Sequence, residues 1–127
     1  MLNKEDFKKR ILNLSFNFSL DLIRLISVLH KNNIIITISD QLLRSGFSIG
    51  ANIAEAQGAA SKNDFRNFIH YAYKSAIETR YWLAILDKGN LVQNNVELYK
   101  LIEKAKELNK ILSSIILTLK GKKTINS

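Results

Sequence analysis

Two histidines, His30 and His70, and the carboxylates around them are the residues through which this chain could do acid–base or metal chemistry. A carboxylate-bridged metal centre in a helical bundle needs Glu-x-x-His pairs projecting inward. Ser27 precedes His30 at that spacing and Asn67 precedes His70, so the motif is missing at both. No HExxH or Ser-His-acid arrangement is visible, and with no cysteine there is neither a thiolate ligand nor a disulfide framework. The expectation is a non-enzymatic protein with no metal, no cofactor and no catalytic residue.

The remaining polar residues of interest fall between Gln41 and Leu83. Folding that stretch back on itself near Ala59 and Ala60 places Arg44 opposite Ser75 and within a turn of Glu78. A paired Arg44 and Glu78 would brace two helices. As a catalytic pair they would be poor, because arginine stays protonated and supplies no base. Asn52 and Glu55 lie one turn apart on a face shared with Ser48. They could brace the hairpin, Glu55 near Lys62 and Asn52 near Arg66 or Asn67, or line a site at one end of a bundle. Trp82, with Tyr81 and Tyr73, could stack on bases, although an aromatic stripe on a helix more often belongs to a core.

Helices must position these residues, since proline is absent and three of the five glycines fall between Gly46 and Gly58. From Asp6 to about Lys31, Phe7, Ile11, Leu14, Phe18, Leu22, Leu25 and Leu29 form one apolar stripe. A second row, Leu12, Phe16, Leu20 and Ile23, lies well round from it. Either both rows fill one core, or the second is covered by a neighbour outside the bundle. Ile34 to Ile38 could pass for a strand, but nothing else in the chain looks able to pair with it. Thr37-x-x-Asp40 reads instead as a capping box opening a second helix. Gly46, Gly50, Ala54 and Gly58 recur every fourth residue there, which predicts close approach of another helix. Ser61-x-x-Asp64 opens a third helix ending at Lys88-Gly89-Asn90. A fourth, from about Asn94 to Lys120, carries Leu98, Leu101, Ala105, Leu108, Leu112, Ile115 and Leu119 at spacings of three and four, the pattern of a long seam.

The whole is expected to be all-α, a single antiparallel up-down four-helix bundle over residues 1–127, with 121–127 a frayed polar tail. Lys and Arg number 19 against 11 Asp and Glu, a net charge of +8 that favours polyanionic partners or simply keeps the surface soluble. The surplus sits in the outer helices: residues 93–127 carry +4 and residues 1–33 carry +3, while 34–60 carry −1. Lys8, Lys9, Arg10, Lys100, Lys104, Lys106 and Lys110 are therefore the candidate nucleic-acid contacts. The start MLNKEDFKKRILNL lacks the apolar stretch of a secretory signal, and no segment offers about 18 charge-free apolar residues for a membrane span. A cytoplasmic protein without a membrane partner is the expectation.

The run QLLRSGFSIGANIAEAQGAASKNDF, followed by YKSAIETRYWL, resembles the four-helix-bundle family of 23S rRNA intervening sequence proteins. The pattern is RSxxSIxxNIxEA, SKxDF and AxETxYWL, and it includes Arg44, Ser48, Asn52, Glu55, Glu78 and Trp82, all read as structural. The resemblance implies a bundle assembling into a ring-like bacterial homopentamer. A related branch resembles accessory proteins of diversity-generating retroelements, which bind nucleic acid and a reverse transcriptase. Many members carry glycine where this chain has Ala56, and arginines where it has Ala59 and Ala60. That leaves the lysines of the first and last helices as candidates for contact with RNA or DNA. The alternative is a structural or protein-binding scaffold with no nucleic-acid contact.

Overall fold

The computed structural model describes residues 4–93 and 95–125, and four helices account for nearly all of them: α1 (Lys4–Val28), α2 (Asn33–Gln57), α3 (Lys62–Lys88) and α4 (Val96–Ile125). Each packs on its neighbours in order and α4 closes back on α1, so the bundle is a square with α1 and α3 on one diagonal and α2 and α4 on the other. The α2–α3 pair is packed most extensively and α1–α4 least.

Short connections bounded by polar caps set this up-down order. Asn32 is extended (φ −133°, ψ 173°), and its side chain accepts a hydrogen bond from the Ile35 N–H at 2.9 Å. The second helix therefore starts four residues before Thr37. Thr37 is not a cap: its hydroxyl donates to the Asn33 carbonyl inside the helix, because Asn32 already satisfies the first free N–H groups. Ile34 to Ile38 is helical, with Ile35 and Ile38 buried and Ile34 and Ile36 exposed. At the start of α3, Ser61 Oγ accepts from the Asp64 N–H (3.0 Å) while Asp64 Oδ2 accepts from the Ala60 N–H (3.2 Å). Asn90 takes the left-handed conformation after α3 (φ 54°), which asparagine tolerates better than most residues. The expected start of α4 at Asn94 lies outside the described residues; Asn95 Oδ1 accepts from the Leu98 N–H at 3.1 Å, and the helix runs on to Ile125, past the end expected at Lys120.

The core follows the first apolar row of α1, where Ile11, Phe18, Leu22 and Leu25 are buried and Phe7 lies outside. On α4 the buried row passes from Leu112 to Ile116, leaving Ile115 only partly covered. Close approach along the small-residue stripe is confined to its first half. A Cβ on Gly46 would collide with Leu22 Cδ2 of α1, and one on Gly50 would rest 3.5 Å from Ser15 Oγ. Ala54 is exposed, and Gly58 ends the helix, its N–H bonded to the Glu55 carbonyl.

By length and composition α1 is apolar enough to cross a bilayer. In this fold its inner row is packed, and Asp21 and Arg24 interrupt the stretch. The second row divides: Leu12 is half-buried against the core, whereas Phe16 is 61% exposed and Ile23 48%. Phe16 and Ile23 leave an outward apolar face on α1.

Candidate nucleic-acid interface

The helices first create a polar seam between α2 and α3, because serine, threonine and asparagine recur at helical spacing on their facing sides. Arg44 Nη2 meets Glu78 Oε2 at 2.6 Å and also donates to Gln41 Oε1. Trp82 Nε1 donates to the same Glu78 oxygen at 3.1 Å. Below this, buried Thr79 Oγ1 lies 3.0 Å from buried Ser45 Oγ, and Ser75 Oγ donates to Ser48 Oγ at 3.1 Å. The register is one turn beyond a symmetric fold-back: Arg44 faces Glu78, and Ser48 takes the place opposite Ser75.

Asn52 does not reach Arg66 or Asn67. Its amide turns back to its own helix, donating to the Ser48 carbonyl (2.8 Å) and hydroxyl (3.0 Å), a local bond that costs less side-chain ordering than a reach across the hairpin. Glu55 is exposed and forms no ion pair with Lys62 among the described residues. The seam holds carboxylate, guanidinium and hydroxyls bonded to one another, with no aligned base and nucleophile. His30 and His70 are both exposed, and among the described residues no three metal-ligating side chains gather.

The basic candidates do not form one patch. Lys8 lies 5.4 Å from the centre of the Phe65 ring, and Lys9 and Arg10 border a shallow groove of about 380 Å³ with Asn13 and Asn17. On α4 the lysines divide into two rows. Lys104 is bonded to Asp21 and so, with Lys100, flanks α1; Lys106 borders a cleft with Arg80 and so, with Lys110, flanks α3. Exposed Glu103 and Glu107 lie between the rows. Lys100 is 3.7 Å from Glu97 and Lys106 is 3.3 Å from Glu103, whereas Lys9, Arg10 and Lys110 have no ion pair among the described residues.

Three residues matter more than their sequence context suggested. Asp21 accepts from both Lys104 and Arg24. Its partial burial raises the carboxyl pKa, but the hydrogen bond and charge of Lys104, then those of Arg24, outweigh this and hold it below the usual range. Its isolation in α1, with no other acid between Asp6 and Asp40, was the available signal. Arg80 Nη1 donates to buried Asn109 Oδ1 at 2.9 Å. Asn109 stands four residues after Ala105 on the apolar seam, a polar group that had to find a partner.

Between α3 and α4 lies a cleft of about 430 Å³. Its lining includes Ile77, Ala84 and Ile102, with Tyr81 and the side chains of Arg80, Lys88 and Lys106. Tyr81 is 58% exposed and stands edge-on to Trp82, whereas Trp82 is packed against the core.

A family model described as 23S rRNA-intervening sequence protein matches residues 8–114. A crystal structure of a protein with unknown function from the S23 ribosomal protein family of Bacteroides thetaiotaomicron is similar, with a TM-score of 0.76 and 37% identity, over 84% of this chain and 97% of that one. No curated protein matches.

Proposed function

This chain belongs to the 23S rRNA-intervening sequence protein family, and from that premise we propose that it is a non-enzymatic, cytoplasmic bundle that assembles with copies of itself and contacts RNA or DNA. The observation that carries the assembly is the outward apolar face. Phe16 and Ile23 of α1 are joined by Ile36 and Phe47 of α2, which helical spacing puts on the same side of the α1–α2 pair. Four large apolar side chains on one face of a small bundle are what a subunit contact uses. The homopentamer implied by the family resemblance is the assembly proposed.

Nucleic-acid contact is supported by the net charge of +8 and by Lys9, Arg10 and Lys110, which form no ion pair among the described residues. Affinity should fall steeply with salt as phosphates exchange counterions for lysine and arginine. Solution mass measured with and without a short RNA tests both parts: a monomer at micromolar concentration overturns the assembly, and no mass change with RNA or DNA at low salt overturns the binding.

A second function, a scaffold for another protein without nucleic acid, is favoured by one observation. Lys104 is bonded to the shielded Asp21, and Lys100 and Lys106 lie beside exposed Glu97 and Glu103, so part of the α4 charge is offset within the bundle.

A further inference from the structure

We infer that the α3–α4 cleft is a binding site for a segment of single-stranded nucleic acid, with a base stacked on Tyr81 and its phosphates met by Arg80, Lys88, Lys106 and Lys110. This rests on the nucleic-acid function proposed above and moves its centre from the outer helices to the junction of α3 with α4.

Shape and charge coincide at this cleft. Its apolar lining comes from buried Leu83, partly covered Ile102 and exposed Ile77 and Ala84, and an exposed tyrosine ring lies beside them, edge-on to Trp82 at 5.1 Å between ring centres. Cations come from both walls: Arg80 and Lys88 from α3, Lys106 from α4, with Lys110 one turn further along α4. Arg80 is oriented by Asn109 through one N–H, which leaves other guanidinium donors for a phosphate. Two carboxylates oppose this charge, Asp87 at 3.9 Å from Lys88 and Glu103 at 3.3 Å from Lys106. The Lys106–Glu103 contact is solvent-exposed on both sides, of the kind that stabilises little and can exchange for a phosphate; Asp87 is half-buried, but its 3.9 Å contact engages a largely exposed Lys88 that stays open to a second anion.

The combination discriminates between forms of nucleic acid. A duplex conceals the faces of its bases and would meet only the cations, leaving the tyrosine and the apolar lining without a role. A single strand presents both a phosphate line and free base faces, which is the pairing of cations with an aromatic platform that such strands require. The cleft also lies on the side of the square opposite the α1–α2 apolar face.

The test is fluorescence anisotropy of the full chain with a labelled oligouridylate and, separately, a labelled RNA duplex, at low salt. Tyr81→Ala should weaken oligouridylate binding about 5- to 150-fold, the range of a lost base stack. Tyr81→Phe should bind as the parent does, and Lys106→Glu should weaken binding with a shallower salt slope. Duplex binding should be insensitive to Tyr81→Ala. If Lys9→Glu and Arg10→Glu abolish binding while Tyr81→Ala leaves it intact, the cleft is overturned and the broader function stands. If the parent chain binds neither probe, both fall. If Tyr81→Ala instead reduces the mass of the assembly in sedimentation, the cleft is the seat of a second copy and the inference is overturned.

Discussion

Asp21 and Lys104, 83 residues apart in the chain, form an ion pair that ties the middle of α1 to α4 across the least extensive junction of the bundle. Asp21 is only 17% exposed, so the pair is better shielded than the other ion pairs on this surface. Because the folded state holds its carboxyl below the ordinary range, the pair stabilises the fold fully above the unfolded carboxyl's pKa. That contribution is lost as pH falls through the lowered folded value. Asp21→Asn should therefore cost about 0.5–1 kcal/mol at neutral pH. The difference from the parent should close below about pH 4. Urea midpoints of the two proteins at neutral and acid pH check this; a gap that persists unchanged in acid would refute it.

Gly46 and Gly50 should respond to alanine in opposite directions. At Gly46 the new methyl group meets fully buried Leu22, and overpacking of about 1–3 kcal/mol exceeds the helix-propensity gain of about 1 kcal/mol. At Gly50 the nearest atoms of Ser15 stand at 3.5–3.6 Å, an ordinary contact, so the propensity gain survives and stability rises by about 0.5–1 kcal/mol. Thermal melts of the two single variants give the sign of each.

The α2–α3 seam should rank by burial and not by formal charge. Arg44 and Glu78 are 62% and 39% exposed, and Arg44→Ala should cost under about 1 kcal/mol. Thr79→Val, inside the seam, removes the group beside buried Ser45 and should cost about 1–2 kcal/mol. Equal losses in chemical denaturation would contradict this order.

Phe16→Glu tests the outward face of α1. The side chain lies outside the core of the bundle, so the isolated bundle should keep its helical circular dichroism while the proposed assembly dissociates in sedimentation equilibrium. An unchanged mass would remove this face from the contact.

The helices, their order and the first apolar row of α1 were legible in the sequence, since they follow from period-3.6 spacing, the absence of proline and the Ser61-to-Asp64 cap, all local properties. The start of α2 was misplaced because both Asn32 and Thr37 can cap a helix, and the choice depends on which N–H groups are already satisfied. The polar motif around Arg44 and Glu78 could be picked out, but its register against α3 and the inward turn of Asn52 required the packed pair of helices.

What the sequence by itself determined is an all-helical chain with one certain core row, an ambiguous second row and a basic surplus. Only the tertiary structure decided that Phe16 and Ile23 face outward, that three α4 lysines lie beside carboxylates, and that Arg80 and Lys106 share a cleft with Tyr81. The physical reason is that helical periodicity records the angle of a side chain about its own axis. Which neighbour lies at that angle depends on how the four axes are arranged.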